Sequence, residues 1–281
     1  MRGAILGDIV GSRFEWHPIK TKDFEFINNT ECFYTDDSVM TIAVAEALLQ
    51  TEPEITEEAF RANLISIMHK WGAMHPDCGF GGHFYRWIIN GETEPYNSWG
   101  NGSAMRVSPV GWFFRDLDRT REVARWTAEV THNHPEGIKG AEATASVIYL
   151  ARTGSTKEEI KKYIEDEFGY NLNRSLDEIR PNYKFDESCM GTVPEAIICF
   201  LEGTDFEDVI RNAISLGGDA DTLAAIAGSM AEACYGIPQV IREGCLELLE
   251  PDMVDVIWKF EELVPGPGEI TWRELLALLK K

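Results

Sequence analysis

The sequence predicts an all-α protein folded as a single domain over residues 1–281. Three observations carry that expectation: apolar residues recur at helical spacing along most of the chain, period-2 alternation is scarce, and no low-complexity stretch divides it. With 44% hydrophobic and 26% charged residues, the chain can bury a sizeable core.

In chain order, Thr41 to Leu49 is nearly all apolar and predicts a central helix. Glu54 to Lys70 follows, with Phe60, Leu64, Ile67 and Met68 at helical spacing. Arg119 to Val130 and Ala141 to Ala151 read as two helices split by a turn at Thr131 to Gly137. Thr156 to Phe168 is amphipathic, with Lys157, Glu158, Glu159, Lys161 and Lys162 facing solvent. Helices are then expected at Val193 to Leu201, Phe206 to Ile214, Leu223 to Cys234, Met253 to Leu263 and Trp272 to Leu279. A short strand is allowed at Asn182 to Asp186. The small residues Ala224, Ala225, Ala227, Gly228, Ser229 and Ala231 let neighbouring helices approach the 223–234 segment closely.

Two acidic clusters sit at the mouths of apolar helices: Thr35-Asp36-Asp37-Ser38 and Gly217-Gly218-Asp219-Ala220-Asp221-Thr222. Either alone is explained by helix capping, since Asp and Thr satisfy first-turn N–H groups and complement the macrodipole. Their shared composition and their placement beside buried helices point instead to divalent cations. Two carboxylates about 4 Å apart repel by roughly 1 kcal/mol in water and roughly 4 kcal/mol at an effective dielectric near 20, so four converging carboxylates require compensation.

A net charge of −21 argues against a nucleic-acid-binding surface. The six cysteines form no CxxC pair and several lie in apolar runs, which predicts reduced thiols and a cytoplasmic protein. Asp8 interrupts the first apolar run, so no signal peptide is expected. No uncharged stretch reaches transmembrane length, so no membrane partner is expected either.

Four further elements carry chemical potential. Glu15 follows a run of small residues that permits close backbone approach. Cys78-Gly79-Phe80-Gly81-Gly82-His83 is a glycine-rich loop entering a helical segment, where free N–H groups can cradle phosphate oxygens; it lacks a Walker lysine. Trp99-Gly100-Asn101-Gly102-Ser103-Ala104-Met105-Arg106 repeats that design, with Ser103 as a candidate N-cap and Arg106 either meeting an anion or bracing the loop. His132 and His134 have His-x-His spacing but no accompanying zinc ligands, so a polar pocket wall or a helix start is the better reading.

In order, GAILGDIVGSRFE (Gly3–Glu15), TDDS (Thr35–Ser38), GFGG (Gly79–Gly82), GNGSAMR (Gly100–Arg106), THNHPEG (Thr131–Gly137), the stretch Phe185 to Ala196 and LGGDADT (Leu216–Thr222) resemble the ADP-ribosylglycohydrolase family. The resemblance covers nearly the whole chain. It implies an orthogonal helical bundle around a central binuclear Mg2+ (or Mn2+) cleft. Thr35, Asp36 and Asp37 would ligate one ion and Asp219, Asp221 and Thr222 the other, with Asp221 bridging. Glu15 matches a mobile glutamate near the metals. Gly79, Phe80, Gly81 and Gly82, with Gly102, Ser103 and Met105, match loops that hold the diphosphate and ribose of ADP-ribose. His132 falls on the nucleotide side.

The expected reaction is metal-dependent hydrolysis of an N- or O-glycosidic bond, releasing ADP-ribose from a modified protein or small molecule. Asp36 or Glu15 serves as base. The competing readings are a metal-dependent nucleotide phosphodiesterase, which would release AMP, and a non-catalytic ADP-ribose-binding or structural relative, which would bind without turnover.

Overall fold

Small residues organise the centre of the molecule, shown here by a computed structural model that describes residues 1–51 and 55–264. In chain order the helices are α1 (Arg2–Gly11), α2 (Asp36–Leu49), α3 (Glu57–Met74), α4 (Gly82–Ile89), α5 (Gly102–Met105), α6 (Ser108–Phe113), α7 (Leu117–Glu129), α8 (Pro135–Arg152), α9 (Lys157–Phe168), α10 (Leu176–Ile179), α11 (Cys189–Glu202), α12 (Phe206–Leu216), α13 (Ala220–Tyr235), α14 (Gln239–Leu246) and α15 (Pro251–Leu263). Among the described residues there is no sheet. The 182–186 segment is irregular, and one isolated antiparallel bridge joins Gly100 to Ser188. The expected helix at Trp272 to Leu279 lies outside the described residues, as does Glu54.

The hub is α13, buried along nearly its full length and packed by α1, α8, α11 and α12. Its contact with α1 explains the glycines of the N-terminal segment. Gly3, Gly7 and Gly11 are spaced at i, i+4 and i+8, so they lie on one helix face. A Cβ added to them would meet Gly228 O at 2.2 Å, Ala224 O at 2.0 Å and Asp221 Cα at 2.5 Å. The two helices therefore run antiparallel at a separation only glycine allows, and the C-terminal end of α1 lies beside the first turn of α13.

Tertiary packing also overrides local propensity in α1. A segment with three glycines among ten residues is a poor helix former, yet it is helical and wholly buried. Helix α2 is equally enclosed and begins at Asp36, five residues before the expected Thr41, so the first acidic cluster forms its first turn. Helix α8 begins at Pro135, capped by the His134 side chain, which accepts from Glu136 N at 3.1 Å; proline at N1 lacks only an N–H that would have no partner there. Helix α11 starts at Cys189 and passes through Pro194. Helix α9 matches its expected span and opens on a capping box between Thr156 and Glu159. The buried apolar residues form one continuous core. No helix among the described residues is long and apolar enough to cross a membrane.

Candidate active site

The N-termini of α2 and α13 meet, and with them the two acidic clusters. Thr222 Oγ1 donates to Asp37 Oδ2 at 3.1 Å across 185 residues of sequence. Together with the loops at Gly79–Gly82 and Gly100–Gly102, these ends enclose a cleft of about 380 Å³.

Capping does not account for the carboxylates. Thr35 occupies the N-cap of α2, accepting from Asp37 N at 3.4 Å, while its hydroxyl donates to Asp8 Oδ1 at 2.7 Å. Asp219 sits at the N-cap of α13 without making a side-chain cap bond; its Oδ2 accepts from Asn101 Nδ2 at 2.6 Å. Two trios of carboxylates can each close around a cation, Asp8–Asp37–Asp221 and Glu15–Asp219–Asp221, the oxygens of each trio lying within 4.8 Å of one another. Asp221 belongs to both.

The electrostatics are those of crowded, buried acids. Burial first, then Asp8, Asp36 and Asp219, hold the Asp37 carboxyl well above its ordinary range. Asp36 and Asp221 are raised likewise, chiefly by burial and then by neighbouring carboxylates. Burial lifts Glu15 to about 7, with Asp219, Asp8 and Glu187 adding repulsion. Asp8 reaches about 6 through burial, although bonds from Ser38 and Thr35 oppose the rise. Asp37 Oδ1 is buried without any hydrogen-bond partner. An orphaned carboxylate oxygen inside an all-oxygen donor set fits a hard divalent cation, which would neutralise these acids and use the free lone pairs.

Of the residues expected from the sequence, the cleft lining gathers Glu15, Asp36, Asp37, Asp219, Asp221 and Thr222. It also gathers Gly79, Gly81, Gly82, Gly102, Met105 and His132. Three others stand behind it. Thr35 turns its hydroxyl to Asp8, Phe80 packs its ring 5.1 Å from that of Phe84, and Ser103 donates to Gly137 O at 2.7 Å. Asn101, rather than Ser103, occupies the N-cap position of α5. Arg106 takes the bracing role: buried, it donates to Thr127 O at 2.9 Å and to Thr131 Oγ1 at 2.8 Å. The two histidines of the His-x-His motif part company, His134 capping α8 while His132 meets the Thr131 hydroxyl at 2.7 Å. Burial and the Arg106 charge hold His132 well below its ordinary pKa.

Asp8 is the residue that sequence reasoning passed over. Wholly buried in α1, it accepts from Thr35 N at 2.9 Å, Thr35 Oγ1 at 2.7 Å, Ser38 N at 3.0 Å and the Ser38 hydroxyl. It thus holds the whole first turn of α2. The available signal was a lone aspartate inside an otherwise apolar, glycine-spaced run. Asn101, Tyr96 and Glu187 also face the cleft and were not singled out.

The sequence profile of the ADP-ribosylglycohydrolase family matches residues 1–269, so the chain belongs to that family of glycosyl hydrolases. Among its relatives, human ADP-ribosylhydrolase ARH3 is 27% identical over 317 residues, covering 85% of each chain. The ADP-ribosylarginine hydrolase Tri1 of Pseudomonas putida (strain GB-1) is 25% identical over 261 residues, covering 84% of this chain and 69% of that protein. A solved structure described as an ADP-ribosylglycohydrolase-related protein complex shares the fold, with a TM-score of 0.69 and 23% identity over 93% of this chain and 95% of that one.

Proposed function

We propose that this enzyme hydrolyses the glycosidic bond between C1″ of an ADP-ribosyl group and an acceptor nitrogen or oxygen, releasing ADP-ribose, with two Mg2+ ions (or Mn2+) held in the cleft. The observation that carries the reading is the junction of the two clusters at Thr222 and Asp37, with Asp221 common to both carboxylate trios.

Asp36, Asp37, Asp219 and Asp221 would hold the ions through carboxylate oxygens. Thr35 and Thr222 suit hydroxyl ligation because each already commits its proton to a carboxylate, Asp8 and Asp37 respectively, which leaves oxygen lone pairs for a cation. When bound, the ions supply Lewis-acid stabilisation of the distal ribose hydroxyls and of charge at the sugar. Asp8 and Asn101 orient the ligating groups from behind, as outer partners do in metal sites.

The glycine loop before α4 offers backbone N–H groups for the diphosphate: Gly79 has φ +107, and nothing lies within 4 Å of a Cβ built on Gly81 or Gly82. Tyr96, whose ring lies 5.9 Å from those of both His83 and His132, offers aromatic surface for the base. Glu15, half-buried at the cleft and with a carboxyl near neutrality, takes a proton from the attacking water. The unpaired thiols Cys32, Cys78, Cys189, Cys199, Cys234 and Cys245 support a reducing, cytoplasmic setting; Cys234 alone among them is exposed.

The test is incubation of ADP-ribosylated acceptors with enzyme and Mg2+, with products separated by chromatography. ADP-ribose is expected, abolished by chelation and restored by Mg2+ or Mn2+. AMP would instead identify a phosphodiesterase, and ligand-induced stabilisation without turnover would identify a binding protein.

A further inference from the structure

Arg106 is a buried cation whose neighbours are neutral. Only 1% exposed and set along the cleft, it donates to Thr127 O at 2.9 Å and to Thr131 Oγ1 at 2.8 Å. Its Nε has no hydrogen-bond partner. Burying a charge is unfavourable, and a carbonyl with a hydroxyl offsets it less well than a carboxylate would, so bracing alone is a weak reason for arginine here. The charge does reach His132. The same Thr131 hydroxyl that accepts from Arg106 stands 2.7 Å from His132 Nδ1. The other ring nitrogen, Nε2, faces the Gly100–Gly102 segment of the cleft wall. A Cβ on Gly102 would lie 3.0 Å from Nε2 and one on Gly100 3.5 Å, so the two glycines leave that nitrogen uncovered.

Counting protons and lone pairs along this chain favours one arrangement. A threonine hydroxyl has one proton to give and two lone pairs. One lone pair takes the Arg106 N–H, and the Tyr96 hydroxyl, also bonded to Thr131, can fill the other. The proton of Thr131 is then directed at His132 Nδ1, which must present a lone pair. The opposite tautomer would turn an Nδ1–H dipole toward the guanidinium, whose charge already disfavours protonation of this ring. Resting on the hydrolase reading above, we infer that Arg106 and Thr131 are positioning residues that keep the proton of His132 on Nε2, so that the ring presents a fixed N–H donor to an acceptor oxygen of the ADP-ribosyl group. Such a donor matters in a cleft crowded with carboxylates. With the proton on Nδ1, the ring would turn one more lone pair toward a ligand whose diphosphate and ribose oxygens are themselves acceptors.

Two measurements that need no turnover test the inference. In protein isotope-labelled at the histidine nitrogens, long-range proton–nitrogen correlations distinguish the tautomers, and the His132 signals are those lost in His132→Gln. Native protein should show a protonated Nε2 and an unprotonated, hydrogen-bonded Nδ1. Thr131→Val should shift the Nδ1 resonance and weaken ADP-ribose binding, measured by isothermal titration with Mg2+ present, by about 10-fold. Thr131→Ser keeps the hydroxyl and should hold both readouts near native. Arg106→Met should move the Nδ1 resonance as Thr131→Val does; should loss of the buried cation unfold the chain, the Thr131 pair carries the test. His132→Gln places an amide N–H near the Nε2 position that cannot change tautomer, so adding Thr131→Val to it should lower affinity by no more than about twofold. A proton on Nδ1 in native protein, or native affinity in Thr131→Val, would overturn the relay. The expected spectra and affinities, with no ADP-ribose released from any modified peptide, would uphold the relay and overturn the hydrolase reading instead.

Discussion

The two acidic clusters are built alike in sequence and supported differently in space. The first turn of α2 hangs on a single buried carboxylate from a neighbouring helix, Asp8, which accepts from both Thr35 and Ser38. The first turn of α13 is held by an amide from a loop, Asn101, which bridges Asp219 and Thr192 at 2.6 and 3.1 Å. One support is a carboxylate embedded in the glycine-tight α1–α13 contact; the other is an amide on the cleft wall. Like motifs can therefore differ in how firmly their donors are aimed, and substitution separates the two.

The largest effect is expected where the clusters merge. Asp221→Asn and Asp37→Asn should each lower kcat/KM roughly a thousandfold, because each removes a charged donor from the point where the two sites join. Circular dichroism should remain that of the native fold. Retained activity in both variants would dissolve the proposed metal centre. Next comes the scaffold. Gly7→Ala would drive a methyl to 2.0 Å from Ala224 O, a backbone atom that cannot swing aside. Destabilisation of about 1–3 kcal/mol or more is expected in chemical denaturation. A stability equal to that of the native protein would mean that α1 and α13 can separate without cost.

The supports themselves rank third and fourth. Asp8→Asn keeps the shape but turns an acceptor of four hydrogen bonds into a group with a donor facing donors. A loss of about 10- to 100-fold in Mg2+ affinity is expected by isothermal titration. Asn101→Ala should cost less, about 10-fold, since α13 retains the Thr222 bond to Asp37. If Asn101→Ala proved the more damaging, the loop rather than α1 would be the firmer support.

What could be read in the sequence follows the same division between local and distant. The amphipathic 156–168 segment and the small residues of α13 are contiguous patterns, and each forms the helix expected of it. Helices start earlier than apolar periodicity indicates where the first turn is polar or contains proline, as at Asp36, Pro135 and Cys189, because those residues interrupt the periodicity while satisfying the turn. The helix at 2–11 was hidden by its glycines, whose spacing makes sense only opposite Ala224 and Gly228. Asp8 and Asn101 were missed for a related reason: their partners lie 27 to 118 residues away, and no local pattern names them.

The smallest expected effect concerns pH in the metal-free protein, and its sign follows from the direction of the shifts. Asp8 and Glu15, raised to about 6 and about 7, bind protons more tightly folded than unfolded. Their contribution to stability is fully present below the ordinary carboxylate range near pH 4 and is lost as pH rises through 6 and 7. Chelated protein should therefore melt at a lower temperature at pH 7.5 than at pH 5. Added Mg2+ should raise the melting temperature at pH 7.5 far more than at pH 5, because protons and cations compete for the same oxygens. Asp8→Asn should flatten part of the pH trend, whereas Asn101→Ala, which removes no ionisable group, should leave Asp8's share of it in place. Equal Mg2+ stabilisation at both pH values would separate the buried acids from the cation site.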